Sequence, residues 1–147
     1  SYLTDARPVS ISVESIVPSD NSLLTTDNTS IQMRFSDGSV CALLYTALGN
    51  AQAGKERMEL FFGGKTIVMD NYQELIGYGL SSSFSQKMSR PDKGHQTLLN
   101  QFFGALRSDN FTAPVSFERL LDVSRVAIVA SELAEAGGGE ILMKDAK

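Results

Sequence analysis

The sequence predicts an α+β fold: an open, mostly antiparallel β-sheet with two long C-terminal helices packed on one face. Three observations predict it. Up to about Met88 the apolar residues recur with the period of strands, and from Lys93 onward with the period of helices. A Gly-Gly pair and an Asp-Gly pair separate strand-like runs, as hairpins require. Strands therefore precede helices, an order that belongs to segregated rather than alternating α and β architectures.

Each element follows from local pattern. Pro8 to Val17 alternates, with Val9, Ile11 and Val13 on one face and Ser10, Ser12 and Glu14 on the other. Residues 18–28 are rich in turn formers and read as a loop. Thr29 to Phe35 alternates again, with Ile31, Met33 and Phe35 together. Asp37-Gly38 suits the positive φ angles of a tight hairpin. Val40 to Leu48 is almost wholly apolar and reads as a central strand covered on both faces. After a small-residue loop, Lys55 to Phe62 and Lys65 to Asp70 flank Gly63-Gly64, a second hairpin signal. Glu74 to Tyr78 and Ser81 to Met88 read as two weaker strands.

The helices come next. Lys93 to Arg107 places Leu98, Leu99, Phe102, Phe103 and Leu106 on one stripe, with Asp92 as the expected N-cap. Phe117 to Ala134 forms the second, capped by Ser116, with Phe117, Leu120, Leu121, Val126, Ala127, Ala130 and Leu133 as its apolar face. Gly137-Gly138-Gly139 stops it, and Glu140 to Met143 adds a short edge strand.

Composition narrows the functional classes. The chain has 147 residues, the size of a single domain, with 42% apolar and 20% charged residues. Its formal net charge is -4 and no basic run occurs, so nucleic acid and anionic membranes are disfavoured as partners. No stretch approaches the roughly 18 apolar residues of a membrane span, and no signal peptide is visible. Cys41 is the single cysteine. Its apolar surroundings suggest a buried, inert thiol, and the cysteine usage suggests a cytoplasmic, reducing setting.

Catalytic motifs are few. Gly77 and Gly79 form a GxG fragment without the third glycine that a dinucleotide site needs. Gly63-Gly64-Lys65 lacks the spacing of a phosphate-binding loop. With one His and one Cys there is no zinc set, and no GxSxG elbow marks a nucleophile, so a hydrolase is poorly supported. Four residues stand out as candidates for substrate contact or subunit contact: Tyr45, Lys55, Arg57 and His95. Each has a plainer reading, as a sheet-rim tyrosine, two solvated charges and a residue that hydrogen-bonds near a helix start.

Several pieces, taken in order, carry a resemblance. They are Phe35-Ser36-Asp37-Gly38-Ser39-Val40, Tyr45-Thr46-Ala47-Leu48-Gly49 and Lys55-Glu56-Arg57-Met58-Glu59-Leu60-Phe61. Gly64-Lys65, Met69-Asp70-Asn71-Tyr72-Gln73-Glu74-Leu75 and Asp92-Lys93-Gly94-His95 continue the series. Together they resemble the C-terminal domain of the glucose-fructose oxidoreductase / inositol dehydrogenase (Gfo/Idh/MocA) family, from about Val9 to Leu133. The resemblance implies an α+β domain that lines a substrate site and self-associates through its open sheet face. It implies a missing N-terminal Rossmann domain binding NAD or NADP, and hydride transfer to or from a sugar, polyol or nucleotide sugar. The family's Glu-Lys-Pro motif and its His-bearing helix have no counterpart, so no catalytic and no cofactor-binding residue is assigned in this chain. The expected product is thus a substrate-side and oligomerisation domain of a larger enzyme, inactive alone. The alternative is a stand-alone, non-catalytic interaction module.

Overall fold

A computed structural model describes residues 3–19 and 22–143. The α+β class holds: open antiparallel sheets and two long helices make up the chain. The strands are shared between two four-stranded sheets, in two compact units. One comprises Ser1–Leu48 with Val115–Lys147, the other Gly49–Pro114.

The first unit contains β1 (Pro8–Ser15), β2 (Asn28–Phe35), β3 (Val40–Thr46), α2 (Phe117–Glu135) and β8 (Gly138–Leu142). Its sheet runs β3-β2-β1-β8, antiparallel throughout. The alternation read in β1 has the expected consequence: Ile11 and Val13 are fully buried, while Ser12 and Glu14 are not. Helix α2 lies over β1 and β8 and sets Ala130 and Ala134, one turn apart, on Ile11 and Val13. Small side chains there let the helix backbone come close to the sheet. Burying each of the two β1 side chains contributes about 1.5–3 kcal/mol.

Two salt bridges tie the segment before β1 to α2. Arg7 Nε and a second guanidinium nitrogen donate to Asp122 Oδ2 at 3.3 Å and Oδ1 at 3.4 Å, and Arg119 pairs with Asp5. Asp122 is buried, so its partner is what makes a carboxylate tolerable at that position. Ser116 caps α2 as expected, its hydroxyl accepting from the Arg119 amide. The β2–β3 hairpin turns on Gly38 at φ +86°. There Asp37 Oδ1 accepts from the Ser39 amide at 3.0 Å and from its hydroxyl at 2.6 Å.

The second unit is a meander. β4 (Arg57–Phe62), β5 (Lys65–Asp70), β6 (Glu74–Tyr78) and β7 (Gln86–Lys87) lie in chain order, and α1 (His95–Leu106) follows. The Gly63-Gly64 hairpin is confirmed, both residues at positive φ. No residue of this unit is fully buried. The apolar stripe of α1 is present but about half exposed: Leu98, Leu99, Phe102, Phe103 and Leu106 lie between 42% and 54%.

Several expectations need correction. Val40 to Leu48 is an edge strand, not a central one: β3 has β2 on one side only, and Val40 and Leu44 are 74% and 77% exposed. An apolar run reports low polarity, not the number of neighbours. Cys41 is accordingly half-buried instead of buried. Asp92 is not the N-cap of α1. Gly94 holds that position at φ +75°, and Asp92, two residues before it, accepts from the Gly94 amide at Oδ1 at 2.8 Å. Ser81 to Met88 forms a short 3-10 turn and only two strand residues. On α2, Phe117, Leu120 and Leu121 face out, because the helix rests on the sheet only through its later turns.

Two outcomes test this account. Ile11→Ala removes buried volume under α2 and should cost about 2–5 kcal/mol in urea unfolding. The Ser39 side chain and amide hold the Asp37 carboxyl below its ordinary value. That contribution to stability is present above the unfolded-state pKa and is lost as pH falls through the folded one. In Ser39→Ala the Asp37 titration, followed by NMR, should move back up towards an ordinary carboxylate.

Candidate functional site

In the first unit the sheet face under α2 is only half covered. Helix α2 lies over β1 and β8, so the matching face of β2 and β3 stays open beside it. The result is an apolar groove of about 320 Å³, lined by Ile31, Met33, Leu43 and Tyr45 on the sheet and Val126 and Ala127 on the helix. Tyr45, one of the four sequence candidates, stands on this wall and is 54% exposed. On the opposite face of the sheet, β1 and β2 present Ser10, Ser12, Glu14, Ser30, Gln32 and Arg34, none of them buried. On that same face β3 and β8 add Val40, Leu44 and Leu142, 74%, 77% and 72% exposed, so open apolar surface lies on both faces of the sheet.

In the second unit the structure gathers a charged corner. Arg57 opens β4 opposite Asp70 of β5. The next turn of chain, Asn71-Tyr72, has both residues at positive φ, 48° and 52°, and the Gln73 amide closes it on the Asp70 carbonyl at 2.9 Å. Such a conformation is common for Asn and rare for Tyr. Three tethers hold it. The Asn71 amide donates to the Glu56 carbonyl at 2.6 Å, the Asp92 amide donates to the Tyr72 carbonyl at 2.9 Å, and the Tyr72 amide donates to Met69 Sδ at 3.1 Å.

Side chains complete the corner. Lys93 Nζ lies 3.5 Å from Glu56 Oε1 and 5.2 Å from the centre of the Tyr72 ring, a cation–π distance. Arg57 donates to Glu59 Oε1 at 2.7 Å. This hydrogen bond, with the Glu59 charge, raises the Arg57 pKa further. Lys55 contributes its amide, which donates to Asn71 Oδ1 at 3.4 Å, while its side chain is exposed.

Of the four candidates, then, Lys55 and Arg57 flank one corner together with the Asp92–Gly94 segment. His95 follows that segment as the first residue of α1 and is exposed. Tyr45 belongs to the other unit. The residues that sequence reasoning missed are Tyr72 and Lys93. Asp70-Asn71 is a turn signal, but nothing local says that a tyrosine takes the second left-handed position. The GxG fragment is structural. Gly79 takes φ +70°, and a Cβ on Gly77 would meet the Phe84 ring at 2.6 Å and Leu80 at 3.0 Å.

Chemically, the corner sets the Lys93 ammonium and the Glu56 carboxylate beside the half-buried Tyr72 ring, with the exposed Arg57–Glu59 pair on the neighbouring strand positions. Such groups have the donors and acceptors to hydrogen-bond a polar ligand. Among the described residues no group of three His, Cys, Asp or Glu side chains could hold a metal ion, and no helix is long and apolar enough to cross a membrane. No family model matches the chain, and comparison with curated proteins and with solved structures finds no match.

Gly77→Ala should destabilise the meander by about 1–3 kcal/mol through overpacking against Phe84 and Leu80, read as a lower urea midpoint. The exposed Glu56–Lys93 pair contributes no more than about 1 kcal/mol, so Lys93→Met should leave that midpoint nearly unchanged.

Proposed function

We propose that this chain is the substrate-side and oligomerisation domain of an NAD(P)-dependent oxidoreductase acting on a sugar, polyol or nucleotide sugar, inactive by itself. The observation that carries the self-association part is the half-covered sheet face beside α2. Ile31, Met33, Leu43 and Tyr45 line an open apolar wall there, and a second copy of the chain is the proposed cover. Burying that wall is favourable by roughly 25 cal/mol per Å² of apolar surface.

The oxidoreductase part is supported by the ordered series of residues from Phe35 to His95 that resembles the Gfo/Idh/MocA C-terminal domain. Members of that family take the cofactor, NAD or NADP, on a separate Rossmann domain. In this chain the GxG fragment is occupied with packing and turning. Lys55, Arg57 and His95 would then serve on the substrate side, where exposed polar side chains hydrogen-bond hydroxyl-rich ligands. The second reading, a stand-alone interaction module, draws on the same open groove and needs no cofactor.

Two measurements separate these parts. The gene upstream of Ser1 is expected to encode a Gly-rich strand–turn–helix and a Glu-Lys-Pro motif. A parent without them removes the oxidoreductase reading and leaves the module. In light scattering the chain is expected to be at least a dimer. Ala127→Glu, which sets a charge in the groove from an exposed helix position, is expected to weaken association tenfold or more, since an unpaired charge is costly to bury. Unchanged association in that variant would exclude the groove as the contact.

A further inference from the structure

The two sheets end in strands β3, β8, β4 and β7, and an unprotected strand end is a template for pairing with another chain. Three of the four are guarded. β4 carries Arg57 and Glu59 in its first half. β7 is two residues long and carries Lys87. β8 begins with Gly138 and Gly139 at φ +125° and +149° and carries Glu140. β3 is different: Val40-Cys41-Ala42-Leu43-Leu44-Tyr45-Thr46 has no charge, no Pro and no Gly over seven residues.

The backbone of β3 shows which groups are on offer. The Phe35 amide donates to the Ser39 carbonyl and the Ala47 amide to the Asp27 carbonyl, each at 2.9 Å. These bonds, with the pairing Met33↔Cys41 and Ile31↔Leu43 between them, direct residues 39, 41, 43, 45 and 47 towards β2. By the alternation of an antiparallel ladder, the N–H and C=O groups of Val40, Ala42, Leu44 and Thr46 point the other way, out of the sheet edge.

We propose that β3 is a homotypic interface: a second copy adds its own β3, antiparallel, across this edge, and the two four-stranded sheets become one of eight strands. One register uses every outward group. It places the two-fold axis at Leu43, opposite the partner's Leu43, with Ala42 opposite the partner's Leu44 and Val40 opposite the partner's Thr46. About eight ladder hydrogen bonds form. Electrostatics permits this register, although each chain carries a net charge of -4. Asp37 is the only charged residue between Ser36 and Asn50, and it falls opposite the partner's Gly49, so no like charges meet. Leu43 and Leu44, 48% and 77% exposed in one chain, each gain an apolar or small cross-strand neighbour.

This inference rests on the self-association part of the proposed function and not on the oxidoreductase part. Its test is a cross-link in the full chain. In a Cys41→Ser background, Leu43→Cys places thiols at a non-hydrogen-bonded pair on the axis, with Cβ atoms about 4.5–5.5 Å apart, a separation a disulfide closes with small movement. Mild oxidation is expected to give a covalent dimer in most of the protein. Val40→Cys in the same background, displaced from the axis, is expected to give at least tenfold less. Equal yields at the two positions overturn the register.

Ala42→Pro supplies the second readout. It deletes an outward N–H while leaving every bond to β2 in place. It is expected to retain the circular dichroism of the parent and to lose the dimer. A dimer that survives Ala42→Pro and is lost in Ala127→Glu is held by the groove instead, so edge pairing fails while self-association stands. A parent chain that stays monomeric throughout a concentration series overturns both.

Discussion

The first unit depends on β1 being a shared strand. It pairs with β2 on one side and with β8 on the other, and its Ile11 and Val13 are the fully buried large side chains of the described chain. β8 reaches that position only because α2 returns the chain over the sheet, and α2 can lie close only because Ala130 and Ala134 are small. Sheet closure, helix placement and core burial are thus one arrangement. The entropy of bringing chain ends so far apart in sequence together is offset at a single contact.

The same geometry produces the surface that distinguishes this protein. A single helix covers two strands of a four-stranded sheet, so the other two keep their apolar side chains in a groove. Placing α2 over β2 and β3 instead would move its small-residue contact off Ile11 and Val13. Partial coverage follows from the alanine pair, and the groove follows from partial coverage. The second unit shows the same shortage of burial in another form, with no fully buried residue and an amphipathic α1 whose stripe stays half exposed. Its order comes from hairpin chemistry: two glycines at one end, and at the other a left-handed Asn-Tyr pair held by hydrogen bonds from both sides.

Electrostatics plays a local part. Asp122 is the buried carboxylate and has Arg7 as a forked partner. The corner charges around Tyr72 are exposed, paired, and weak individually. What they supply is hydrogen-bonding capacity at a defined place.

Periodicity and turn chemistry by themselves determined the α+β class, the hairpins at Asp37-Gly38 and Gly63-Gly64, the Ser116 cap, the inward face of β1 and the short strand after the glycine run. All are local: each depends on residues within a few positions, and the chain's own covalent geometry enforces them. Only the tertiary structure decided that Val40 to Thr46 lies at an edge, that the strands divide into two sheets, that Gly94 and not Asp92 caps α1, and that Lys93 meets Tyr72. An apolar strand reads the same in the middle of a sheet as beside an open edge, because neighbours are chosen by long-range pairing. Lys55 and Arg57 were legible as a charged cluster, but their company was not. Tyr72 and Lys93 are far apart in sequence, and the left-handed turn that joins them is held by contacts from both sides that no local pattern encodes.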